Sequence, residues 1–154
     1  MVTKNDDLDL FTFCDPGVTF SPNKGFKSYM VNQLKEGNVD HVFFLSHNES
    51  QHWILVIIWE SDIYICNPLS QPHHFPKLEK VLSSAIKYFN TGTGRENKRT
   101  KIKNLAGSLK QPGAHECGYI VLHYMKEIIS DRDMTFRTKA YLVHVLTIKI
   151  NSST

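Results

Sequence analysis

The sequence predicts an α+β fold, a central mixed sheet of about four to five strands flanked by three or four helices. Three stretches carry that expectation. His52-Trp53-Ile54-Leu55-Val56-Ile57-Ile58 is a short apolar, β-branched run, and Asp62-Ile63-Tyr64-Ile65-Cys66 is a second just after it, so the two read as paired strands. Leu78, Val81, Leu82, Ala85, Ile86 and Phe89 recur at steps of three and four, the spacing of one buried helical face. Cys117, Ile120, Val121, Tyr124, Met125, Ile128 and Ile129 repeat that pattern further on.

Taken in order, Met1 to Asp9 is a polar, acidic start and Phe11 to Phe13 a short strand or loop. Pro16-Gly17 and Ser21-Pro22-Asn23 are turn signals. Ser28 to Lys35 reads as an amphipathic helix on Tyr29, Val31 and Leu34, stopped at Gly37-Asn38. His41 to Leu45 is a strand beside the His52 strand. Trp59-Glu60-Ser61 links that strand to the next one. Pro68 to Pro76 is a loop, and Lys77 to Phe89 a helix ending before Asn90-Thr91-Gly92. The basic stretch from Thr91 to Lys103 reads as a solvated loop running into a strand, with contact to an acidic patch on a partner as the functional alternative. Lys101 to Leu109 returns the chain to the sheet. The period of the final apolar segment, Tyr141 to Ile150, is ambiguous, and helix is the reading adopted.

Composition bounds the function. With 154 residues, 41% of them hydrophobic, the chain can bury a core, and residues 1–154 read as a single domain. A net charge of +3 gives no case for nucleic acid. The three cysteines are widely spaced and form no Cys-x-x-Cys, so neither a disulfide framework nor a zinc site is expected. The adjacent His73-His74 pair has no third or fourth ligand in view, and no cofactor is called for. The start is not a signal peptide, and the longest apolar stretch is too short for a bilayer. The expectation is an intracellular protein of the nucleus or cytoplasm, a monomer without membrane contact.

The chemistry begins at Gln111-Pro112-Gly113-Ala114-His115-Glu116-Cys117-Gly118. Cys117 falls at the start of a helix, where unpaired N–H groups and the helix dipole favour a thiolate. Gly118 leaves room for another chain beside the sulfur. A thiol needs a base, and His52 heads its strand. A hairpin places that end beside Asn67, which follows the return strand and can fix the imidazole in one tautomer. Each residue also has an ordinary explanation: Cys117 as a core residue, His52 as a strand-end hydrogen-bonding group, Asn67-Pro68 as a turn opener.

Together, the His52-Trp53 strand, the polar Asn67 after the next strand, and Gln111 six residues before Cys117-Gly118 resemble the catalytic core of the ubiquitin-like-protein-specific (SUMO/sentrin) cysteine proteases. That family is abundant in plants and often carried by transposon-derived genes. The resemblance covers about Val39 to Asp131 and lies in order and spacing. It implies a papain-like fold, with His52 as general base, Asn67 orienting it, Gln111 helping to form the oxyanion hole and Cys117 as nucleophile. It implies Trp53 as a wall of the channel that admits a diglycine tail. The partner it implies is a SUMO-type ubiquitin-like protein or its conjugates.

The sequence departs from the family pattern in three places. Asn67 and Glu116 stand where aspartates are usual, and Met1 to Val39 holds no Trp-Leu-x-Asp motif, so the domain is expected to be partial at its amino terminus. Two other functions stay open: a catalytically degenerate domain that binds ubiquitin-like proteins, and a cysteine-dependent acyltransferase.

Overall fold

In the computed structural model, residues 10–19, 24–37, 41–49, 52–67, 75–95, 99–104 and 117–130 are described. They form a five-stranded mixed sheet in the order β1-β2-β3-β4-β5. The strands are β1 (Phe11–Phe13), β2 (Val42–Glu49), β3 (His52–Trp59), β4 (Asp62–Cys66) and β5 (Ile102–Asn104). The three inner strands are antiparallel neighbours, and the two short edge strands run parallel to theirs. The helices are α1 (Pro16–Thr19), α2 (Lys24–Glu36), α3 (Pro76–Gly92) and α4 (Cys117–Ser130).

Helices cover both faces, which is why β3 is apolar without alternation. Ile54, Val56 and Ile58 pack with Phe26, Met30 and Leu34 of α2 and Leu78, Leu82 and Ile86 of α3. Leu55 and Ile57 face the other way, with Ile120, Val121, Tyr124 and Ile128 of α4. The α+β architecture expected from sequence is therefore present, as an α/β/α sandwich around one sheet.

Several boundaries differ from the sequence reading, each for a physical reason. β2 extends past Leu45 to Glu49 because β3 pairs with it throughout, from Phe43↔Ile58 to Glu49↔His52. The loop between β3 and β4 is two residues, since Trp59 pairs with Asp62. Glu60 and Ser61 take φ of 50° and 67°, the left-handed pair that a tight hairpin requires. Pro16-Gly17 is a turn of helix rather than a bare turn. Asp15 Oδ1 accepts from the Gly17 N–H at 2.8 Å, and proline suits a first helical position.

The α2 helix starts at Lys24, ahead of the expected Ser28, and stops at Glu36 before Gly37. A Cβ on Gly37 would stand 2.6 Å from the Phe43 ring, so only glycine allows this approach. The α3 helix runs through Asn90 to Gly92 rather than ending before it. Asn90 is 1% exposed, and its Nδ2–H donates to Ser61 Oγ at 3.3 Å. A tertiary partner thus occupies the amide that would otherwise serve as a stop.

The basic stretch meets the sheet at β5. There the Ile63 N–H donates to the Lys101 carbonyl at 2.9 Å, and the Lys101 N–H donates to Asp62 Oδ1 at 3.0 Å. The readings for Ser21-Pro22-Asn23, most of the 68–76 loop including His73-His74, the end of the 101–109 return, and the 141–150 segment lie outside the described residues. Among the described residues, no helix is long and apolar enough to cross a membrane.

Candidate active site

The β3–β4 hairpin sets one end of the sheet. Its last paired residues are Leu55 and Cys66, so one step beyond them Asn67 stands opposite Ile54. His52 is then the diagonal neighbour of Asn67 on the same face, within reach of long side chains. The two side chains meet, with His52 Nε2 2.7 Å from Asn67 Oδ1. An amide oxygen only accepts, so Nε2 carries the proton and donates it. Nδ1 is left with its lone pair. That is the tautomer in which an imidazole can take a proton through Nδ1. Both residues are half-buried, so the ring is held yet open to the strand end.

Trp53 points to the opposite layer, where it packs against the α4 cluster. Gly118 lies under it: a Cβ there would be 3.5 Å from Trp53 Cδ1. The indole therefore ties the head of β3 to the first turn of α4. Cys117 is the first residue of that helix, one position before Gly118. The backbone thus brings the helix start that bears Cys117 to the strand end that bears His52. The Cys117 side chain and Gln111 lie outside the described residues.

The other two cysteines sit in different surroundings. Cys14 packs with α2 on one side of the sheet and Cys66 with α4 on the other, and burial pushes both thiols up to about 12. Neither forms thiolate at neutral pH.

The residue across from His52 is not singled out by the sequence pattern. It is Glu49, placed there by the β2–β3 register. The signal for it is the two-residue gap between Glu49 and His52, which is hairpin spacing.

The family model described as "Ulp1 protease family, C-terminal catalytic domain" matches residues 7–150. The chain belongs to the Ulp1 protease family. A comparison with curated proteins finds no match. Ulp1-family domains are cysteine proteases that act on ubiquitin-like modifiers, and the five-stranded sheet with its helices agrees with the papain-like fold of such domains. The Ulp1 match spans the hairpin with His52 and Asn67 as well as the start of α4.

Proposed function

We propose that residues 1–154 act as one catalytic unit, a cysteine peptidase or isopeptidase that cleaves after the carboxyl-terminal glycine of a SUMO-type ubiquitin-like modifier. The supporting observation is the 2.7 Å His52–Asn67 hydrogen bond at the sheet end to which Trp53 anchors the first turn of α4. His52 Nδ1 takes the proton from Cys117 Sγ, and the thiolate adds to the carbonyl carbon of the terminal glycine. Gln111 and the Cys117 N–H donate to the resulting oxyanion. Loss of one such donor typically costs on the order of 10²–10³ in rate. As the tetrahedral intermediate collapses, the C–N bond breaks and the leaving amine takes the proton from His52. Water, deprotonated by the same imidazole, then hydrolyses the thioester.

Trp53 and Gly118 fit the substrate side of this reading. In it the indole is one wall of the channel for the glycine-rich tail, and Gly118 puts no side chain beside the sulfur. The protein acts as a monomer in the nucleus or cytoplasm, without a metal or cofactor.

The test uses a ubiquitin-like protein that carries a carboxyl-terminal electrophile. The parent chain is expected to form an adduct of the summed mass, and Cys117→Ala none. Binding with no adduct by the parent would replace the enzyme with a modifier-binding domain. The neutral Asn67 favours that second reading, because an amide orients an imidazole without the charge that stabilises imidazolium.

A further inference from the structure

We propose that the groove between α2 and α3 is a docking site for an extended acidic peptide, one that carries two carboxylates on either side of an apolar side chain. The inference goes beyond the peptidase reading and does not rest on it. The groove has a volume of about 390 Å³ and is lined by Lys27, Ser28, Val31, Asn32 and Lys35 of α2 and by Tyr88 of α3. It lies on the sheet face away from α4, since α2 and α3 pack with Ile54, Val56 and Ile58 while α4 packs with Leu55 and Ile57.

The lining combines apolar and cationic groups. Val31 is buried and Tyr88 is 59% exposed, so the groove has an aliphatic base and an open aromatic wall. Lys27 Nζ lies 5.6 Å from the centre of the Tyr88 ring, and Lys35 is exposed. Among the described residues, neither lysine pairs with a carboxylate. Glu36, the carboxylate of α2, is seven residues from Tyr29 and shares its side of the helix, within its electrostatic reach. The layer as a whole is cationic: α2 and α3 carry six lysines against two glutamates, +4 where the whole chain has +3.

Spacing selects the occupant. Lys27, Val31 and Lys35 follow one another at steps of four along one side of α2. Eight residues of helix separate the two lysines by about 12 Å along the axis. An extended chain advances about 3.3 Å per residue and sets alternate side chains on one side, so its positions i, i+2 and i+4 span about 13 Å. Carboxylates at i and i+4 therefore reach Lys27 and Lys35, and the side chain at i+2 lies over Val31 beside Tyr88. Ser28 and Asn32 supply a hydroxyl and an amide for the peptide backbone. A nucleic-acid strand, whose charge repeats at every nucleotide, would meet cations only at the two ends of this seat.

The experiment follows the fluorescence anisotropy of a labelled nine-residue peptide as the full chain is added. The peptide is serine throughout, except for glutamate, leucine and glutamate at its third, fifth and seventh places. Saturable binding by the parent is expected. Lys27→Glu/Lys35→Glu should weaken it about tenfold or more, because like charges then face each other. Tyr88→Ala should weaken it about 3- to 10-fold, and so should asparagine in place of the peptide's leucine. Lys103→Glu/Lys126→Glu makes the same change in net charge on the α4 side of the sheet, where Lys103 lies over Tyr64, and should bind as the parent does. Circular dichroism confirms each fold. If the first double variant does not fold, Lys27→Gln/Lys35→Gln is expected to show a smaller loss in the same direction.

Absence of saturable binding by the parent overturns the inference. Equal loss in the two charge-reversed variants also overturns it, because net charge alone then accounts for the attraction. So does equal affinity for the leucine and asparagine peptides. A single-stranded oligothymidine that binds as tightly as the leucine peptide would replace the peptide with nucleic acid.

Discussion

Trp53 of β3 lies over Gly118 of α4, with 3.5 Å between the indole Cδ1 and the place a Cβ would occupy. That separation is ordinary van der Waals contact. Gly118→Ala therefore has room, and the helix gains up to about 1 kcal/mol in propensity. Thermal unfolding of Gly118→Ala is expected at or slightly above the parent temperature. Its turnover of a ubiquitin-like substrate is expected to fall, because in the proposed reading the added methyl crowds the approach of the substrate chain to the Cys117 sulfur. Trp53→Ala, which strips a partly buried ring from the α4 cluster, should cost about 2–3 kcal/mol, at or below the low end for large aromatic truncations.

Asn67 holds the imidazole through one acceptor oxygen. Asn67→Ala removes it, and a fall in kcat/KM on the order of 10–10³ with little change in KM is the expected outcome. Asn67→Asp keeps the acceptor and adds a charge. The charge stabilises the imidazolium that forms when His52 takes the thiol proton, so kcat/KM of Asn67→Asp is expected at or above that of the parent, measured on the same substrate.

Cys14 and Cys66 titrate at about 12, above the ordinary thiol value of 9.0, because burial disfavours the thiolate. The folded state thus holds these protons more tightly than the unfolded state does. Their contribution is complete below pH 9.0 and is lost as pH rises toward about 12. The urea midpoint should fall across that window, and less steeply in Cys14→Ala/Cys66→Ala. At neutral pH, mass spectrometry after brief alkylation should find both thiols unmodified.

Glu60 occupies a left-handed position at φ 50° that asparagine and glycine accept more readily than glutamate. Glu60→Asn is expected to stabilise the β3–β4 hairpin by about 0.5–1 kcal/mol, read from denaturant unfolding. Ser61 is the poorer target. Its Oγ accepts the Asn90 amide, so Ser61→Gly exchanges a turn benefit for a lost hydrogen bond.

Much of the fold is legible residue by residue. The apolar run after His52, the Ile63 to Cys66 return and the stripe from Leu78 to Phe89 are strand and helix because their local periodicity and burial demand agree. The meeting of His52 with Asn67 follows from hairpin geometry alone. What fails is boundary reading where polar residues take part. Ser46, His47, Asn48 and Glu49 show no strand pattern, yet pairing with β3 makes them strand. Asn90 reads as a stop, yet Ser61 keeps it inside the helix.

The order of residues is enough to pick out the side chains that have the chemistry: a thiol at a helix start, an imidazole at a strand head, and amides at fitting separations. Those are properties of residue type and local spacing. What stands across a ladder or beneath a ring emerges with folding, because register and interlayer packing arise from contacts between residues far apart in the chain. Glu49 opposite His52, and Gly118 under Trp53, are of that second kind.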